Sequence, residues 1–99
     1  MVLKGDFPLS QQPIIIKQII GKTVKALRIR QGLTQEDLAY ECNVDRSYIS
    51  MIEVGRNEPS VSKIFELCIG LRIRPSDFFT LIAIEYDNIL QDSNKLRAE

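Results

Sequence analysis

Arg46, Ser47, Ser50 and Met51 fall within six residues of a 99-residue chain, and each carries a group suited to the edge of a nucleobase. A guanidinium is a planar fork of N–H donors that matches O6 and N7 of guanine. Serine hydroxyls serve base edges or phosphates, and an apolar end such as the Met51 thioether meets a thymine methyl. Nearby stand Gln35, Tyr48, Arg56, Asn57, Ser60, Ser62 and Lys63. Their donors suit phosphate oxygens, contacts that fix position without reading sequence. Each residue also has a plainer reading. Tyr48 could pack over its own helix, Arg46 could pair with Asp45 or Glu41, Met51 could be buried, and Ser62 and Lys63 could merely begin a helix.

Other chemistries lack their residues. The chain contains no His, which excludes a Ser-His-Asp or Cys-His nucleophile and a Cys/His zinc site. No glycine-rich loop cradles a phosphate and no carboxylates pair in an evident cleft. No catalytic residue, metal or cofactor is therefore expected, and the chain reads as a non-enzyme. Cys42 and Cys68 are too few for a disulfide framework. They read as small apolar core residues of a reducing compartment, with a redox switch as the alternative. The longest apolar run, Ile14–Ile16 with Ile19-Ile20 beyond it, is far short of the roughly 18 residues a membrane span needs. No signal-peptide pattern follows Met1, so a cytoplasmic protein is expected.

The elements that must position these residues are helices. From Ile14 onward, Ile16, Ile20, Val24, Leu27 and, at the end, Gln31 recur at spacings of three and four, and Gly32 closes the helix. Thr34 and Asp37 form a capping-box pair that opens a second helix, with Leu38 and Ala39 inward. Asn43 stops it, because Asn tolerates the left-handed backbone region. Asp45 can cap a third helix buried through Ile49 and Ile52 and ended by Gly55. A fourth begins near Val61 with Ile64, Leu67, Cys68 and Leu71 inward. Pro75 suits the first turn of a fifth, in which Phe78, Leu81, Ile82, Ile84, Ile89 and Leu90 are apolar on more than one face. No period-two alternation appears, so the fold class is all-α with five helices. Residues 1–13, with Gly5, Pro8 and Pro13, read as an irregular arm; residues 14–90 form the domain, and residues 91–99 a frayed tail.

The spacing within 35–54 is more specific than any single residue. Small Ala39 is followed four residues later by turn residue Asn43, then by inward Val44 and the anchors Ile49 and Ile52. Two helices crossing at about 90–120° around a tight turn need this order. The outer face of the second of them then carries Arg46, Ser47, Tyr48, Ser50 and Met51. Together with Gly21–Arg28, Gly32–Ala39, Ile49–Glu53, Gly55-Arg56 and Pro59-Ser60, this stretch resembles the phage-repressor-like (Cro/C1, or XRE) helix-turn-helix regulators. Asp45–Ser50 is most similar to the controller proteins of restriction–modification systems. Asn43 departs from the glycine common there.

The resemblance implies a lambda-repressor-like DNA-binding domain. It further implies a transcriptional regulator, such as a repressor, that binds double-stranded DNA as a homodimer at a partly palindromic operator. It also implies a structural ion pair between Arg28 and Glu53. The apolar excess of the fifth helix, about 76–90, points to a dimer interface through Phe79, Ile82, Tyr86 and Ile89, with burial of both apolar faces within the monomer as the plainer reading. A protein-binding, antitoxin-like module is the alternative, holding a small protein partner with the arm and Ile14, Ile15 and Ile19 or with the last helix.

Charge refines this picture. Thirteen basic residues balance thirteen acidic ones, so binding cannot rest on bulk charge. Residues 1–33 sum to +5 and residues 34–58 to −4. Five acids between Glu36 and Glu53 repel phosphates unless paired or turned away. They point to a docked pose with few phosphate contacts and an ordinary steep salt dependence.

Overall fold

Pro13 lies in the first turn of the first helix, where its missing N–H leaves no bond unmade. A computed structural model of the chain describes residues 9–98, with side chains described through Asp92. A single 3-10 turn, Leu9–Gln11, leads into α1, Gln12–Arg30. It is followed by α2 at Gln35–Cys42, α3 at Arg46–Glu53, α4 at Val61–Leu71 and α5 at Pro75–Ala98. No strand occurs among the described residues.

The helix ends follow local chemistry. Gly32, at φ +74°, closes α1 with two bonds: its N–H donates to Ile29 C=O at 2.9 Å, and Leu33 N–H donates to Arg28 C=O at 3.0 Å. This is the bond pair expected when a left-handed residue follows a helix. At α2, the Thr34 hydroxyl accepts from Asp37 N–H at 3.0 Å and the Asp37 carboxylate accepts from Thr34 N–H at 2.9 Å. The Thr34 N–H, and after it the Thr34 hydroxyl, hold the Asp37 carboxyl below its ordinary pKa. Ser60 caps α4 by accepting from Lys63 N–H at 3.1 Å.

Four differences from the sequence expectations have local causes. The helix expected from Ile14 begins two residues earlier, so Gln12 and Pro13 belong to α1 rather than to an arm; Met1–Pro8 lies outside the described residues. Gln31 is the exposed residue after α1, not part of its inner face. Asp45 precedes α3 with extended backbone but its side chain makes no capping bond. Finally, α5 runs through Ala98, so the backbone from Gln91 is helical where a frayed tail was expected. Once a helix is nucleated, good helix formers such as Gln, Lys, Leu, Arg and Ala extend it at little cost.

Packing then fixes the layers. α3 lies across α1 and α2, α4 backs α2, and α5 returns along α1. Tyr86 Oη donates to Gln12 Oε1 at 2.8 Å, and Lys22 pairs with Glu85 at 3.7 Å. Val24, Leu38, Ile49, Ile52, Leu71 and Phe78 are fully buried, each such side chain contributing about 1.5–3 kcal/mol from area removed from water. Cys42 and Cys68 are free thiols in this core. Burial raises both, Cys68 to about 11. Reactivity depends on the thiolate, so neither is primed as a nucleophile.

Candidate nucleic-acid interface

The turn between α2 and α3 sets the angle of everything that follows. Asn43 takes φ 54°, and Val44 N–H closes back on Ala39 C=O at 3.0 Å. Ala39 is buried there, its single methyl allowing the two helices to cross closely. Ile49 and Ile52 draw one side of α3 inward. The opposite arc, about 140° wide on a 3.6-residue helix, carries Arg46, Ser50, Ser47 and Met51. Arg46 and Ser47 are exposed, and Ser50 and Met51 are half-buried. Among the described residues Arg46 has no ion pair, to Asp45, Glu41 or any other acid.

Beside this arc runs an open groove of about 600 Å³, lined by Asn43, Val44, Asp45, Ser47, Tyr48, Met51, Asn57 and Lys63. The fold therefore brings together two residues assigned to bases and three assigned to phosphates. Tyr48 is half-buried and also packs against the core. Arg56 and Ser62 are exposed on the flanks. Lys63 pairs with Glu66 at 3.1 Å, and Ser60 uses its oxygen as a cap, so neither stands idle.

The far end of α3 is closed. Arg28 Nε donates to Glu53 Oε2 at 2.6 Å, and Arg28 Nη2 donates to Oε1 at 3.0 Å. Arg28 Nη1 also reaches Leu33 C=O at 2.8 Å. The Glu53 side chain is only 3% exposed. Its hydrogen bonds hold the Arg28 guanidinium above its ordinary pKa, outweighing desolvation. Gln35, expected at a phosphate, donates to Glu53 Oε1 at 3.0 Å. That leaves its second amide hydrogen and the first backbone N–H groups of α2 for an anion. Of the five acids that looked hostile to phosphate, Glu53 and Asp37 are thus held by the protein's own donors.

Of the four residues expected at a subunit face, three lie against the chain's own core. Ile82 is buried, Ile89 packs on the core, and Tyr86, half-buried, bonds to Gln12. These side chains close α5 onto the rest of the chain, because the stripe they form is the one that turns toward α1. Phe79 is 40% exposed, edge-on to Phe78. The larger apolar exposure lies on α4: Phe65 is 51% and Ile69 74% exposed. They border a mainly apolar cleft with Arg72, Ile73, Arg74 and Pro75. Their spacing of four, opposite the inward Ile64 and Leu67, was the available signal. The apolar residues of α1 considered for a protein partner also differ, since Ile19 is buried and Ile15 half-buried against the core, leaving Ile14 exposed.

Residues 24–78, more than half the chain, match the helix-turn-helix family. The chain belongs to the Cro/C1-type helix-turn-helix regulators. It is 33% identical to the control protein C.BamHI of Bacillus amyloliquefaciens, over 70% of this chain and 86% of that protein. It is 35% identical to the control protein C.MunI of a Mycoplasma species, over 71% of this chain and 96% of that one. The crystal structure of the wild-type restriction–modification controller protein C.Esp1396I superposes with a TM-score of 0.68 at 32% identity, covering 72% of this chain and 91% of that chain. These relatives are regulators, not enzymes. The chain is a transcriptional regulator with a helix-turn-helix DNA-binding domain. No helix among the described residues is long and apolar enough to cross a membrane.

Proposed function

We propose that this regulator binds a partly palindromic operator as a homodimer, with α3 in the major groove and Arg46 reading guanine. The observation that carries the proposal is exposed Arg46 at the start of α3, without an ion pair among the described residues, next to Ser47, which lines a groove that collects phosphate-seeking side chains. An α-helix fits the major groove, where the four base pairs are distinguishable. Phosphate contacts from α2, from the 56–60 loop and from the start of α4 would set the register. The exposed Phe65, Ile69 and Phe79 support a two-fold partner, the commonest oligomer. That pairing would place two α3 helices about 34 Å apart, one turn of DNA. The control-protein relatives support a role in governing a restriction–modification system in the cytoplasm.

Selection of bound duplexes from a random pool tests this reading. The wild-type chain should enrich a symmetric motif, and Arg46→Ala should relax preference at one symmetric pair of bases. An unchanged motif would remove Arg46 from base reading, and no motif at all would overturn the proposal.

A further inference from the structure

We infer that Gly21 is a positioning residue for base readout: its bare backbone sets how deeply α3 is seated, and so where Arg46 and Ser47 reach. The inference rests on the reading of α3 as the helix that enters DNA. Gly21 is buried in the middle of α1, a place where glycine is a poor helix former. A Cβ there would collide with the carbonyl oxygen of Ile52 and lie 2.8 Å from that of Glu53. Both are backbone atoms of the last turn of α3. They cannot swing aside as a side chain can, so α3 itself would have to move.

Gly70 in α4 is the instructive contrast. Its added Cβ would meet Leu38 Cδ1 at 2.8 Å, Cys42 Sγ at 3.1 Å and Glu41 Cβ at 3.3 Å. These are side-chain atoms between α2 and α4, and none belongs to α3. At Glu53 the seating is doubly fixed, by Gly21 beneath its backbone and by Arg28 and Gln35 on its carboxylate. α3 has eight residues, a rod about 12 Å long. A displacement of about 1 Å at Glu53 therefore carries to Arg46, and hydrogen bonds to bases tolerate only a few tenths of an ångström.

The test compares wild-type, Gly21→Ala and Gly70→Ala full-length chains for affinity to the selected operator and to a scrambled duplex. Loss of folded protein lowers both affinities equally and leaves their ratio unchanged, whereas a displaced α3 lowers the ratio. Gly21→Ala should reduce it about tenfold or more. Its amide NMR shifts should concentrate in Arg46–Glu53. Gly70→Ala should stay within about twofold of wild type. An unchanged ratio in Gly21→Ala, or an equal loss in Gly70→Ala, overturns the inference while leaving the DNA-reading function intact. If Gly21→Ala does not fold in buffer, the comparison is repeated in trimethylamine N-oxide, which favours compact states. A chain still unfolded there makes Gly21 a folding residue and overturns the assignment. A wild-type chain with no operator preference overturns both readings.

Discussion

The two ends of α3 are built in opposite ways. At Glu53 the helix is walled in by Arg28, Gln35 and the α1 backbone, and its carboxylate accepts three hydrogen bonds. At Arg46, one helix length away, the guanidinium stands in solvent with no protein partner among the described residues. The closed end uses its charge to hold the fold. At the open end the charge is left to solvent.

The sharpest way to break this contrast is to open the closed end. Arg28→Ala strands the Glu53 carboxylate away from water, and losing one partner of a buried pair costs about 3–5 kcal/mol. Thermal unfolding should shift down by more than about 10 °C for a domain of this size. An unchanged midpoint would show that the pair is not what holds α3.

A smaller effect follows from the core thiols. Cys68 has its pKa raised by burial from its ordinary value of 9.0 to about 11. A raised folded value favours the protonated form, so this contribution is complete below pH 9 and fades as pH rises toward about 11. The loss amounts to about 2–3 kcal/mol for a shift of that size. Denaturant unfolding followed from pH 8 to 11 should show it, and Cys68→Ala should flatten that limb. A parallel decline in Cys68→Ala would assign it to other groups.

The smallest effect belongs to the open end. Arg46→Ala should change stability by less than about 0.5 kcal/mol, as surface substitutions without partners do. Denaturation curves that separate by more than that would reveal a structural task for Arg46.

Legibility in the sequence followed the range of the forces involved. The five helices were readable because their signals are local: Thr34 with Asp37, Asn43 before Val44, Gly32 after α1, and apolar residues at spacings of three and four. Helix ends set by propagation rather than by a stop residue were not, which is why α1 begins at Gln12 and α5 runs past Gln91. Arg72 is a further case. It ends α4 at φ 58°, a conformation unusual for arginine that no nearby turn residue announced. At the site, the outward arc of α3 followed from its period. The bond from Gln35 to Glu53 spans 18 residues and needs a tertiary neighbour. The apolar stripe of α5 was visible, but periodicity alone does not say which side turns to α1. Ile82, Tyr86 and Ile89 were therefore expected at a subunit boundary, whereas the fold turns them toward the chain's own core.

The most direct test removes one acceptor atom from the DNA rather than a side chain from the protein. Replacing each motif guanine in turn with 7-deazaguanine deletes N7, the partner assigned to the Arg46 fork. At one symmetric position the wild-type chain should lose about tenfold in affinity, while Arg46→Ala should lose almost nothing more. Equal losses in both chains at every guanine would contradict the account.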